Sequence, residues 1–230
     1  MEPLVKLSGA VVLLGRFPAL AGADLEVSAR QIVLLRGPNG AGKTTVLRLC
    51  AGLLPLTRGE ATVAGVDLAR DGRAVRSKVG LLGHANGLYD DLTVADNVRF
   101  WGRAAGAGAD EIDAALARTG MDGRLATVSA HKLSAGQRRR CALAVLIARR
   151  PLLWLLDEPH AGLDSSGRDL LDAVLREAAG AGATILMASH EMERAVPLAD
   201  RVVTVIGGRL SESPTDPSRH DATRGTDHVG

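Results

Sequence analysis

Apolar and polar positions change their period along this chain, and the changes divide it. Short alternating runs at Leu4–Leu7, Ala10–Leu14, Ala23–Val27 and Ile32–Leu35 predict β-strands. Lys43–Ala51 shifts to helical spacing and ends near Gly52, and Glu60–Ala64 and Lys78–Leu82 return to strand character. From about 85 to 150 the pattern is helical. Thr93 is the expected N-cap for Val94–Ala105, Asp110 starts a second helix through Arg118, and Ser134 opens a third through Arg149. Strands then reappear at Leu152–Leu156, Thr184–Ala188 and Arg201–Ile206, separated by helices Ser166–Ala179 and Glu191–Leu198. Strand–helix alternation predicts an α/β fold with a doubly wound parallel core. Residues 1–84 and 150–210 are expected to form that core, and 85–149 a helical lobe. The polar stretch 211–230 is expected to be a disordered tail.

Inside the first half lies Gly37-Pro38-Asn39-Gly40-Ala41-Gly42-Lys43-Thr44, followed by Thr45. This is a GxxxxGK[ST] pattern between an apolar strand and a helix. Its glycines let backbone N–H groups wrap phosphates, Lys43 supplies a point charge to them, and the Thr44 hydroxyl can ligate Mg²⁺. The helix N-terminus adds partial positive charge at the same spot. The predicted chemistry is nucleotide binding.

Composition changes this picture little. With 28 basic and 26 acidic residues the net charge is +2, which does not argue for a nucleic-acid partner. Arg138-Arg139-Arg140 and Arg149-Arg150 read as solvated helix faces. Cys50 and Cys141 fall at apolar helix positions and read as small core residues, not as a disulfide or metal pair. No signal-peptide pattern opens the chain, and no apolar run approaches the roughly 18 residues that a bilayer span needs.

Asp157 and Glu158 end the strand Leu152–Leu156. In an open parallel sheet the carboxyl ends of strands face the ligand crevice. There Asp157 can organise a magnesium shell and Glu158 can act as general base toward water. Together with Leu133-Ser134-Ala135-Gly136-Gln137, Ala161-Gly162-Leu163-Asp164 and Ser189-His190, these motifs resemble the nucleotide-binding domain of an ABC transporter over about residues 4 to 210. The resemblance implies a P-loop NTPase core with an antiparallel β subdomain and a helical signature lobe. It implies a head-to-tail dimer with a second copy of the chain, in which each ATP meets the cradle of one copy and the Leu133–Gln137 signature of the other. Lys43, Glu158 and His190 would be catalytic, with His190 on the γ-phosphate, and Asp164 would couple the two sites. ATP and Mg²⁺ are the implied ligands. An integral membrane permease is the implied partner, at the cytoplasmic face of the cell membrane.

Two positions depart from the family pattern. His84 stands where a glutamine usually senses metal and the membrane subunit. An imidazole there can still ligate a metal or water, and Asn86 is a rival for the role. The residue that usually stacks on adenine aligns with Leu14, and the nearby Phe17 ring could serve instead. Among ABC proteins the chain is most similar to the ATP-binding subunits of cytochrome c maturation. That likeness rests on Leu82-Gly83-His84-Ala85-Asn86, on Asp91–Phe100, on Leu133–Arg140 and on short length. It implies heme export. A lipid, drug or other small-molecule exporter is the alternative. No Cys-x-x-Cys-His motif suggests that this chain itself holds heme.

Overall fold

The computed structural model describes residues 2–83 and 86–212. His84 and most of the expected tail therefore lie outside the described residues.

Two sheets sandwich one helix. The first is antiparallel, in the order β2-β1-β4-β5, from β1 (Val5–Leu14), β2 (Phe17–Val27), β4 (Arg58–Val63) and β5 (Val66–Asp67). The second has the order β10-β9-β3-β8-β7-β6. It contains β3 (Ile32–Arg36), β6 (Val79–Leu82), β7 (Leu153–Asp157), β8 (Thr184–Ala188), β9 (Arg201–Ile206) and β10 (Arg209–Glu212). All its pairings are parallel except β10 with β9. The α/β fold with a mostly parallel sheet and an antiparallel β part is as predicted. The strands Leu153–Asp157 and Thr184–Ala188 read as continuous apolar runs because both faces of the parallel sheet are covered.

Between the sheets lies α1 (Lys43–Cys50). Its Val46, Leu47, Leu49 and Cys50 are fully buried. Burying each leucine here contributes about 2 kcal/mol. The opposite face of the parallel sheet packs on α6 (Ala135–Arg149) and α7 (Ser165–Gly180) through residues such as Leu143, Leu146, Leu171 and Leu175. A third apolar cluster joins α6 to α3 (Val94–Ala104) and α4 (Ala109–Arg118) through Val98, Ile112, Leu116 and Cys141. Thr93 caps α3 as expected, accepting from Asp96 N at 3.1 Å.

Some elements differ from the pattern reading. Val5–Leu7 of the first run and Ala10–Leu14 belong to one strand, broken in register at Ser8 and Gly9. Buried positions switch there from Val5 and Leu7 to Ala10 and Val12, so an odd phase becomes an even one. Gly9 takes φ 56° at this bulge. Strand β2 begins at Phe17, six residues earlier than its alternation suggests. β10 includes Ser211 and Glu212, which the pattern reading gave to the tail. Short helices that the pattern did not suggest occur at Leu68–Asp71 and Gly123–Ala126, whereas the helix expected over Glu191–Leu198 is present as Met192–Ala195 continued by a 3-10 turn at Val196–Leu198.

Candidate functional site

The loop between β3 and α1 is built on backbone freedom. Gly37 has φ 153°, and a Cβ there would stand 2.1 Å from the carbonyl oxygen of Val205. Gly42 has φ 111°, and its Cβ would meet Ala19 O at 2.7 Å. Only glycine satisfies both the torsion and the approach. Gly42 is also the N-cap of α1, so no side chain caps the helix and its first N–H groups are left for an anion. Lys43 is 7% exposed and folds across the loop, donating from Nζ to Gly37 O at 2.7 Å and Pro38 O at 3.0 Å. Its charge is thereby held over the cradle.

Facing the loop is a carboxylate edge. The Thr44 hydroxyl donates to Asp157 Oδ2 at 2.8 Å. That bond joins the start of α1 to the carboxyl end of β7. The next residue, Glu158, takes φ 48°, an uncommon torsion for a non-glycine residue that costs about 1 kcal/mol. Two main-chain bonds hold it there: Glu158 N donates to Ala188 O at 2.8 Å, and Ala161 N donates to Glu158 O at 3.1 Å. The Glu158 carboxylate lies 2.8 Å from His190 Nδ1 and also accepts from His190 N at 3.2 Å. Loop and carboxylates enclose a cleft of about 340 Å³, lined by Asn39, Gly40, Ala41, Gly42, Lys43, Thr44, Thr45, Asp157 and Glu158. Leu14 reaches this lining, whereas Phe17 does not and is 79% exposed.

The fit to a metal rests on donor chemistry. Thr44 Oγ1 and Asp157 Oδ2 are hard oxygen donors held next to each other. Among the described residues no group of three His, Cys, Asp or Glu side chains forms a full protein cage. Such a site suits Mg²⁺, which keeps waters and phosphate oxygens and takes few protein ligands.

The stretch Leu133–Gln137 lies apart from this cleft and lines none of it. Ser134 caps α6 in a capping box: its Oγ accepts from Gln137 N at 3.2 Å, and Gln137 Oε1 accepts from Ser134 N at 3.0 Å. The Ser134 hydroxyl proton stays available for an acceptor outside the helix. Gly136 packs near the turn before α7, where a Cβ would meet Gly162 O at 3.2 Å. Asp164 caps α7 through Gly167 N at 2.8 Å and pairs with Arg140 at 3.2 Å. The Gly167 N–H, then the Ser166 hydroxyl, hold its carboxyl below the usual carboxylate range.

The basic run on α6 corrects its sequence reading. Arg138 and Arg140 pair with the exposed Asp90 and Asp164, but Arg139 is buried. It points inward because β7 and its following turn present main-chain oxygens to this face. Arg149 is likewise half-buried, with its guanidinium 5.7 Å from the Trp101 ring. His160, also missed, is 1% exposed and binds Asp172 Oδ1 at 2.7 Å, while Asp172 Oδ2 accepts from Arg194 at 3.0 Å. Its only sequence signal is its place after Asp157-Glu158-Pro159.

Comparison with known proteins places these motifs in one family. The ABC transporter family model matches residues 20–161. The cytochrome c biogenesis ATP-binding export protein CcmA of Paramagnetospirillum magneticum is 41% identical over 174 residues, covering 74% of this chain and 80% of its own length. The Fe(3+) ions import ATP-binding protein FbpC of Streptomyces coelicolor is 39% identical over 217 residues, covering 92% of this chain and 62% of its own. A dimeric ATP-binding cassette in a post-hydrolysis state with ADP and Pi superposes with TM-score 0.81 at 23% identity, covering 90% of this chain and 98% of its own, a likeness of fold. The chain belongs to the ABC transporter family, as an ATP-binding subunit.

Proposed function

We propose that this chain hydrolyses ATP between two copies of itself to drive an export permease, with heme delivery for cytochrome c maturation as the process served. The observation that carries the hydrolytic reading is the Glu158–His190 pair at 2.8 Å on the rim of the glycine cradle. In this reading the loop amides of Gly37–Thr45 and Lys43 bind the phosphates. Thr44 and Asp157 would hold Mg²⁺, which supplies charge neutralisation between the phosphates when bound. Glu158 accepts the proton of the attacking water, and His190 orients that carboxylate and meets the γ-phosphate. Leu14 supplies an apolar contact for the base. His84, as a further metal or water ligand, remains part of the proposal on sequence alone.

The signature lines no part of its own cleft, so a second copy is needed to bring Ser134 and the α6 N-terminus to a bound nucleotide. Asp164, at the head of α7, is the coupling residue in that arrangement. Residues 85–149 act as one lobe that carries the signature.

The permease reading draws support from a groove of about 430 Å³ where that lobe meets the core, lined in part by Leu53, Leu81, Trp101 and Arg149. Beside it Tyr89, Phe100 and Trp101 form an aromatic cluster, with centroids 5.1 Å apart for Tyr89–Phe100 and 5.2 Å for Phe100–Trp101. Three of the chain's five aromatic residues gather here, with Tyr89 45% and Phe100 49% exposed. Among the described residues no helix is long and apolar enough to cross a membrane.

The heme reading rests on the cytochrome c biogenesis relatives, at 37–41% identity. Relatives named for Fe(3+) and sulfate/thiosulfate import reach 35–39%, and they define the competing reading of a different cargo. Deleting the gene and purifying the chain from native membranes separates the two. Loss of c-type cytochromes, with a maturation permease copurifying, supports heme export. Intact cytochromes with another permease reject it and leave the ATPase reading standing.

A further inference from the structure

Of three consecutive arginines, only Arg139 turns inward. It is 7% exposed, and every guanidinium N–H has an acceptor. Nε donates to Pro159 O at 3.1 Å. Nη1 donates to Gly83 O at 2.6 Å and Asn86 Oδ1 at 3.3 Å, and Nη2 to Asp157 O at 3.0 Å and Glu158 O at 2.6 Å. Among the described residues no carboxylate oxygen is paired with it. Burial pulls its pKa below the usual arginine range, and the charges of Asp157 and Glu158 push it back. A buried cation without an ion-pair contact is costly unless all its donors are met, and here they are.

These contacts join three separate segments. Arg139 belongs to α6, whose N-terminus is the signature. Gly83 and Asn86 flank His84 and Ala85 in the chain after β6. Asp157, Glu158 and Pro159 form the end of β7 and the turn beyond it. At Glu158 the bonds straddle the strained torsion: its N–H is tied to Ala188 O, and its carbonyl to Arg139. With both peptides fixed, the carboxylate is aimed at His190.

We propose that Arg139 is a positioning residue for hydrolysis, locking the Glu158 main chain to the signature helix so that displacement of that helix displaces the carboxylate. The proposal rests on the reading of Glu158 as general base. Lysine has three donors in place of five and no planar fork, so it cannot hold both Glu158 O and Gly83 O in this geometry.

The test uses the full chain with Arg139→Lys, Arg139→Gln and Arg139→Ala, measuring Tm, ATP affinity and kcat. A folded lysine or glutamine variant is expected to keep ATP affinity within about threefold while kcat falls about a hundredfold, the size of effect that misplacing a reacting group by an ångström produces. Added guanidinium is expected to restore about tenfold of the Arg139→Ala loss while leaving the parent unchanged. Normal kcat in a folded variant overturns the proposal. So does a proportional loss of Tm, affinity and kcat, or failure of all three variants to fold with no recovery by guanidinium. Glu158→Gln is run beside them. If it hydrolyses ATP normally, the base reading fails; if it is inactive while Arg139→Lys is fully active, only the Arg139 proposal fails.

Discussion

The glycine loop and the carboxylate edge face each other across one cleft, yet they are made in opposite ways. The loop is a single run of chain, Gly37–Thr45, whose shape comes from torsions that its own glycines permit. The carboxylate edge is assembled from segments far apart in sequence: Asp157-Glu158, Ala188 and His190, and Arg139 from α6. One consequence is a division of labour. Changes in the loop should weaken nucleotide binding. Changes at the carboxylates of the edge should slow the chemistry while most binding survives, because the main grip on the phosphates is the loop's.

The largest expected departure is at the edge. Glu158→Gln keeps the size and loses the base, and kcat for ATP should fall by about 10² to 10⁴ with ATP affinity nearly unchanged. Steady-state hydrolysis beside nucleotide titration reads this, and equal losses in both would erase the contrast. Next comes the loop. Lys43→Ala removes a charge-assisted donor, and should weaken ATP binding by about 2 kcal/mol, roughly thirtyfold. Gly37→Ala sharpens the point from the stability side. Its Cβ cannot fit at 2.1 Å from Val205 O, so thermal unfolding should register a loss of about 2 kcal/mol or more. A Gly37→Ala protein as stable as the parent would mean that the loop is not packed on β9 as described.

The smallest effect concerns the cysteines of the two helices. Burial pushes Cys50 and Cys141 up to about 12. At pH 8 only about one thiol in ten thousand is then ionised. A thiol reagent should label neither until the protein unfolds. Rapid labelling of Cys50 in the native protein would show that α1 opens between its two sheets.

The same contrast explains what the amino-acid pattern revealed. The loop was readable because its residues are contiguous and its chemistry needs particular types at fixed spacing. Asp157 and Glu158 were readable because an apolar strand delivers them to the crevice edge. Arg139 was not: three arginines in a row have the same composition whether they face water or main-chain carbonyls, and only the packing of α6 on β7 decides. His160 is similar, since its partner Asp172 lies on another element. The break in β1 was hidden because the bulge at Ser8 and Gly9 shifts the alternation by one residue, so one long strand reads as two. The capping box Ser134-Ala135-Gly136-Gln137 was legible as a helix start, although its service to a second copy is a matter of assembly.

The most direct test of this division of labour is a side-by-side measurement of ATP affinity and kcat for Lys43→Ala and Glu158→Gln in the same preparation. The account predicts crossed results: Lys43→Ala loses affinity first, and Glu158→Gln loses turnover with affinity intact. If Glu158→Gln turned over ATP at the parent rate, or if both variants lost affinity and turnover in the same proportion, the assignment of binding to the loop and hydrolysis to the carboxylate edge would be contradicted.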